Sequence, residues 1–160
     1  MLSVKLICVG KMREKFYIEA FSEYAKRLGA YCKLEHIELA EQRLSESPSQ
    51  KEINAALEKE AAEISKNISD SSFVIALCVE GRQMSSEALA ALIRDRELSG
   101  SPRLCFIIGG SFGLDASIKK KADMRLSMSE MTFPHHLARV MLAEQIYRGF
   151  MINVGSRYHK

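Results

Sequence analysis

The nine residues from Ile107 to Asp115, IIGGSFGLD, decide the predicted fold. They continue an apolar run that begins at Leu104, and such a short run bounded by turn residues predicts a buried strand. The glycines Gly109, Gly110 and Gly113 follow, and a helix is predicted to begin at Asp115. A strand that runs through a glycine turn into a helix is typical of parallel α/β sheets, which bind ligands at this edge. The pattern is neither GxGxxG nor a Walker loop, so a purely structural turn stays open as an alternative.

The rest of the chain alternates short β-rich runs with helical periodicity, which predicts one α/β domain over 1–160 with a mostly parallel sheet flanked by helices. The predicted strands are Val4 to Val9, Cys32 to Leu39, Phe73 to Val79, Leu104 to Ile108 and Arg125 to Met128. The predicted helices are Lys15 to Leu28 with Gly29 as C-terminal cap, Lys51 to Lys66, Ser85 or Ser86 to Leu98, Asp115 to Ala122, and Pro134 to about Ile152.

The composition is that of an ordinary globular domain. The chain has 160 residues, of which 47% are hydrophobic and 27% charged, and this excludes wholesale disorder. Its apolar runs are too short to span a bilayer, and the N-terminus does not resemble a secretory signal. Without CxxC spacing, the four cysteines are expected to be reduced core thiols. These features predict a cytoplasmic protein that does not associate with membranes.

The charge is distributed unevenly along the chain. The formal net charge is only +3, but acidic residues dominate from Leu34 to Glu63, and basic residues dominate from Pro134 to Lys160. A basic end that faces a polyanion and simple unevenness of a solvated surface both explain this pattern.

A second motif runs from Ser127 to His135, SMSEMTFPH, and is predicted to lead from a short strand through a polar loop into the last helix. His135 falls in the first helical turn, where the helix dipole favours a neutral ring able to act as a base. A packing or capping role for His135 is the alternative. No metal is expected, because His136 points about 100° away and no Cys or carboxylate has suitable spacing.

The last helix and the tail carry two further signals. The helix is apolar nearly all round, which indicates burial against the sheet on one side and against a second subunit on the other, although a central helix in a monomer stays open. Glu144 within it needs a partner. The tail, Gly155 to Lys160, either frays or uses its aromatic, imidazole and cationic side chains to contact bases and phosphates.

Taken in order, four segments resemble the ribosomal RNA large subunit methyltransferase H family of the SPOUT superfamily of trefoil-knotted methyltransferases. They are Val9-Gly10-Lys11, FIIGGSFGL from Phe106, MTFPHHLARVMLAEQIYR from Met131, and Tyr158-His159. The resemblance covers all 160 residues. It implies S-adenosylmethionine-dependent methylation of N3 of a pseudouridine in 23S rRNA within the ribosome. It also implies a homodimer and a C-terminal trefoil knot around the cofactor.

The resemblance implies roles for particular residues. The cofactor contacts fall on Leu77, Gly109, Gly110, Met128, Ser129, Glu130, Met131, Thr132 and Phe133. The imide N3–H needs a base or a stabiliser of the developing anion, for which the candidates are His135, His159, Tyr158 and Arg139. Arg157 and Lys160 are candidates for contacts with RNA.

Two other classes of function remain as alternatives. One is a non-catalytic RNA- or ribosome-binding dimer with the same fold, which the intact GGSFG and SEMTFPH motifs disfavour. The other is a flavodoxin-like redox protein, which the absence of a phosphate-binding loop near the first strand disfavours.

Overall fold

The computed structural model describes all residues from 1 to 160 and contains five strands and five helices in alternation. The number, type and order of the predicted elements are confirmed, and the ends differ by a few residues. The elements are β1 (Leu2–Val9), α1 (Lys15–Leu28), β2 (Cys32–Leu39), α2 (Gln50–Asn67), β3 (Phe73–Arg82), α3 (Ser86–Leu98), β4 (Arg103–Ile108), α4 (Ala116–Lys121), β5 (Met124–Leu126) and α5 (His135–Asn153).

The strands form one sheet in the order β2-β1-β4-β3-β5, and every neighbouring pair is parallel, as predicted. The carboxyl ends of all five strands therefore lie at one edge. β3 is longer than predicted, and its register with β5 shifts between Leu77 and Arg82. Gly81 lies in this irregular stretch, where a β-carbon would be only 2.7 Å from the carbonyl carbon of Leu126. A side chain at this position would separate the two strands.

Side chains at alternate positions of β1 and β4 pack into two hydrophobic cores, one on each face of the sheet. Leu6 of β1 and Phe106 of β4 join the core beneath α1, α3 and α5, whereas Ile7 and Ile107 join the core beneath α2 and α4. All four side chains are completely buried. A parallel sheet covered on both faces explains why these strands are apolar without alternation.

Local hydrogen bonds fix the helix starts. Ser49 and Glu52 form a reciprocal capping box at α2, and the side chain of Ser85 caps α3. Asp115, which was predicted to begin α4, is its N-cap and accepts a hydrogen bond from the backbone N–H of Ser117. Gly29 follows α1 as predicted, but in a right-handed helical conformation, so the left-handed glycine cap does not apply there.

The α5 helix packs between α1 and α3 on one face of the sheet. Ala143 is completely buried in this core, so it adds nothing to the apolar surface of α5 that a second subunit could cover. Val140 and Tyr147 are only partly covered. Glu144 has the partner that its position requires, since Arg148 Nη2 lies 2.6 Å from its Oε1 atom.

All four cysteines are free, one in each of the first four strands. Burial raises the pKa of the Cys8, Cys32 and Cys105 thiols to about 12, so these side chains are inert core groups, as predicted. None of the five helices combines the length and hydropathy that crossing a bilayer demands.

Candidate active site

A cavity of about 710 Å³ opens where β3, β4 and β5 end. Its wall contains nearly all the residues for which the sequence implied cofactor contacts: Leu77, Gly109, Gly110, Met128, Ser129, Met131, Thr132 and Phe133. Glu130 is the exception, because it is exposed and lies outside the wall. His135 completes the cavity on the side of α5. The two motifs singled out in the sequence, which α4 and β5 separate along the chain, thus face one space.

The glycine turn after β4 leaves no room for side chains. A β-carbon on Gly109 would overlap the backbone of Gly113, and one on Gly110 would be 2.5 Å from Glu41 Oε1. Gly113 has a φ of +81°, which favours glycine, and its N–H donates to the Gly110 carbonyl. The backbone itself therefore forms this wall of the cavity.

The loop between β5 and α5 is held by two side-chain hydrogen bonds. The Ser127 hydroxyl donates to the Ser129 carbonyl at 2.9 Å, and the Ser129 hydroxyl accepts from the N–H of Met131 at 3.0 Å. The N–H groups of Met128, Thr132 and Phe133 donate to no acceptor within the chain. They are available to a ligand in the cavity.

The surroundings of His135 favour the neutral ring that the sequence predicts, but for a different main reason. Burial lowers its pKa, and the neighbouring His136 lowers it further. Its Nε2 atom is buried without a hydrogen-bond partner and lies 4.0 Å from Glu41 Oε2. A β-carbon on Gly10 would be 3.3 Å from both of these atoms, so the absence of a side chain there lets them approach each other.

Glu41 is the residue of this site that the sequence analysis missed. It follows β2, and its Oε1 atom accepts a hydrogen bond from the N–H of Ser111 at 2.8 Å, which ties it to the glycine turn. The signal was its place after a strand of a predicted parallel sheet, because such strands end at the same edge as the glycine turn. Instead, it was counted only as part of an acidic stretch.

Arg139 does not lie where a ligand can reach it. Its side chain is completely buried, and its two terminal nitrogens donate to Glu38 Oε2 at 2.7 Å and to the Gly10 carbonyl at 2.8 Å. The expectation that Arg139 holds a phosphate or an anion is therefore wrong in this structure. The arginine instead joins α5 to the end of β1 and so positions His135 beside Gly10.

The C-terminal tail is docked rather than frayed, but far from the cavity. Tyr158 donates to Glu144 Oε1 at 3.1 Å, and His159 lies between Arg148 and Glu87 at 3.2 and 2.9 Å. Arg148 is about 20 Å along the helix from His135, at the usual rise of about 1.5 Å per residue. Arg157 and Lys160 are exposed. Within one chain, the structure does not bring the tail residues together with the cavity.

No group of three or more His, Cys, Asp or Glu side chains in the chain is arranged to hold a metal ion. The cavity thus offers backbone donors, apolar surface and one neutral imidazole. These are the elements of a site for an organic cofactor with a polar edge.

Comparison with known proteins identifies the family. The family model described as "Predicted SPOUT methyltransferase" matches residues 2–159. The chain is 51% identical over 162 residues to ribosomal RNA large subunit methyltransferase H of Bifidobacterium adolescentis, and the match covers 99% of this chain and 100% of the relative. The protein of the same name from Streptococcus pyogenes is 48% identical over 159 residues, with the same coverage. The chain belongs to this family of SPOUT methyltransferases. The resemblance noted from the sequence is confirmed.

Solved structures support the fold of this SPOUT methyltransferase. A probable methyltransferase from Bordetella pertussis superposes with a TM-score of 0.58 at 12% identity, covering 92% of this chain and 94% of that one. A probable methylase family protein from Haemophilus influenzae gives 0.53 at 15% identity, covering 100% of this chain and 72% of that one. At such identities the likeness concerns the fold alone.

Proposed function

We propose that this SPOUT methyltransferase transfers the methyl group of S-adenosylmethionine to N3 of a pseudouridine in 23S rRNA. The observation that carries the proposal is the cavity, in which the glycine turn, the β5–α5 loop and the neutral ring of His135 face one space. The full-length relatives named ribosomal RNA large subunit methyltransferase H support an RNA substrate.

The residues of the cavity fit the cofactor. Leu77, Met128 and Phe133 offer apolar surface to an adenine ring, and the free N–H groups of Met128, Thr132 and Phe133 offer donors to its polar atoms. Gly109 and Gly110 let the ligand approach the backbone closely. When bound, S-adenosylmethionine supplies an electrophilic methyl group on a sulfonium.

Methyl transfer then needs positioning and one proton acceptor. With S-adenosylmethionine bound, its methyl group would go to N3 of the pseudouridine with S-adenosylhomocysteine as the other product, and His135 would take up the N3 proton. Nε2 of His135 is buried and faces Glu41, so we assign Nδ1 as the acceptor. The carboxylate of Glu41 stabilises the imidazolium that forms.

We further propose that the enzyme is a homodimer in which the tail of one chain completes the cavity of the other. The support is that Tyr158 and His159 dock about 20 Å along α5 from the cavity of their own chain, while Val140 and Tyr147 leave apolar surface on that helix partly uncovered. In this arrangement His159 and Tyr158 act beside His135, and Arg157 and Lys160 contact the RNA backbone. Sedimentation at micromolar concentration is expected to give the dimer mass, twice 18.0 kDa.

Membership of the SPOUT family also supports a trefoil knot in the C-terminal half, wound around the cofactor cavity, and we include it in the proposal. A ribosomal RNA substrate, whether free or within the assembled ribosome, supports a location in the cytoplasm. Free core thiols fit that compartment.

The function is tested by calorimetry and by methyl transfer. We expect the protein to bind S-adenosylmethionine and to methylate ribosomes from a strain that lacks its own enzyme, with mass spectrometry locating the new group on N3 of a pseudouridine. A protein that binds ribosomes but not the cofactor would be the non-catalytic RNA-binding dimer instead.

A further inference from the structure

A second cavity of about 630 Å³ lies beside the cofactor cavity and shares three of its residues, Ser111, Phe112 and His135. We infer that it binds the target nucleotide and that Glu41 distinguishes pseudouridine from uridine. The inference rests on the proposed function and names the residue that sets its substrate specificity.

The second cavity lies where methyl transfer requires the target base to lie. Methyl transfer requires the accepting nitrogen to lie within about 3–3.5 Å of the methyl carbon, so the target base must occupy space that adjoins the cofactor. The shared wall of Ser111, Phe112 and His135 provides such a boundary. A volume of about 630 Å³ is ample for one nucleotide.

The lining of the second cavity suits a nucleotide with its phosphates. Lys11, Arg13 and Arg43 are exposed cations at its walls, placed to contact the backbone. Phe112 stands between the two cavities with half of its surface exposed. An exposed aromatic ring at that point is suited to stack on the target base.

Pseudouridine differs from uridine in one hydrogen-bond donor. Its base is joined to the sugar through carbon, which leaves N1–H free, whereas N1 of uridine carries the glycosidic bond. A site specific for pseudouridine therefore needs an acceptor for N1–H, since an acceptor that the bound base covers is left without a donor when uridine binds.

Glu41 is the carboxylate of the second cavity that is placed to be this acceptor. Its Oε1 atom is occupied by the N–H of Ser111, but its Oε2 atom accepts no hydrogen bond and lies beside the shared wall at His135. The two other carboxylates are less suited, because Glu60 is buried with only 6% of its surface exposed and Glu14 faces His136. The hydrogen bond from Ser111 thus fixes the position of Glu41, and the Oε2 atom remains able to accept a hydrogen bond from the base.

The test compares Glu41→Gln with the parent on two kinds of ribosome, one with pseudouridine and one with uridine at the target position. The amide holds the Ser111 N–H through its oxygen and presents an NH₂ group to N1–H. We expect kcat/KM on pseudouridine to fall about 10- to 100-fold more than on uridine, the worth of one hydrogen bond to a charged group. The rates are measured in single turnovers with enzyme in excess, so that even slow methylation of uridine can be quantified.

Two controls separate specificity from other roles. Phe112→Leu is expected to slow both substrates by a similar factor, because stacking tolerates any base. Glu14→Gln, the same change in the same cavity, is expected to leave the preference for pseudouridine unchanged.

The inference is overturned if Glu41→Gln slows both substrates equally or neither, since a residue that acts only through His135 moves both rates together. Failure of the parent to methylate pseudouridine ribosomes would instead overturn the proposed function.

Discussion

At the residue scale, Gly109 shows why the turn after β4 must be glycine. Its φ is not in the left-handed region, but a β-carbon would overlap the backbone of Gly113. We expect Gly109→Ala to displace the turn and to weaken S-adenosylmethionine binding at least about tenfold, with a loss of about 1–3 kcal/mol in unfolding free energy from overpacking. Calorimetry and urea unfolding measure the two effects.

Gly100→Ala is the matched control for this prediction. Gly100 lies before β4, away from the cavity, and a β-carbon there would contact nothing within 4 Å. The control is expected to bind the cofactor as the parent does. If Gly109→Ala also binds like the parent, the glycine turn is not part of the cofactor site.

Arg139 shows a limit of sequence interpretation at this scale. In the sequence it is one of several cations near the C-terminus, and the resemblance makes it a candidate for stabilising the developing anion, beside Arg157 and Lys160 as candidates for RNA contacts. In the structure its guanidinium group donates hydrogen bonds to the Glu38 carboxylate and to the Gly10 carbonyl within the protein. Burial alone would raise the pKa of the Glu38 carboxyl, but the Met12 N–H and the Arg139 guanidinium outweigh it and hold that pKa below its ordinary value. Only tertiary contacts separate such a structural arginine from an exposed one.

At the scale of elements, the capping box of α2 supports a prediction about stability. Ser49 accepts a hydrogen bond from the N–H of Glu52, whose side chain accepts from the N–H of Ser49. Ser49→Ala is expected to lower the unfolding free energy by about 1 kcal/mol and to leave methyl transfer unchanged. Ser47→Ala, in the loop before it, is the control. Equal unfolding midpoints for both variants would contradict the capping role.

The elements themselves were predictable because their signals are local. Strong hydrophobic periodicity gave α1, and apolar runs bounded by Gly or Pro gave β4. The predicted bounds are wrong where contacts between residues distant in sequence determine the end of an element. For example, β3 continues to Arg82 because it pairs with β5. The same applies to the site. Its motifs are visible along the chain, but the contact of Glu41 with the glycine turn depends on β2 lying beside β1, which in turn pairs with β4.

At the scale of the whole molecule, two half-buried histidines predict that acid weakens the fold. Burial lowers the pKa of His36 and of His135 below the ordinary value of 6.5, so each ring keeps its neutral form to a lower pH in the folded state than in the unfolded chain. Their contribution to stability is complete above about pH 6.5 and is lost as the pH falls, because the unfolded chain then binds more protons. Glu60 has the opposite effect on the pH dependence of stability. Burial raises the pKa of its carboxyl, so its contribution to the unfolding free energy falls as the pH rises.

Urea unfolding between pH 7.5 and 5 measures how the unfolding free energy changes with pH, which is the net effect of these groups. We expect the unfolding free energy to fall with pH and His36→Gln to flatten that fall, since His36 packs on Phe21 and its Nε2 atom has no partner. An unchanged slope in this variant would show that His36 is not the source.

The last prediction concerns how the tail reaches a cavity in a dimer. Deleting Arg157 to Lys160 is expected to leave cofactor binding intact and to lower kcat about 100-fold or more, the typical worth of a positioned acid–base group. Gly109→Val is expected to lose cofactor binding. In a heterodimer of these two chains, purified through two different tags, the intact cavity of the truncated chain lies beside the intact tail of the other. A tail that acts across the dimer restores about half of the parental activity per dimer, because one of two symmetric sites is complete. A tail that acts only within its own chain leaves both sites defective, and the heterodimer is then about half as active per dimer as the truncated homodimer, because only one of its two cavities binds the cofactor.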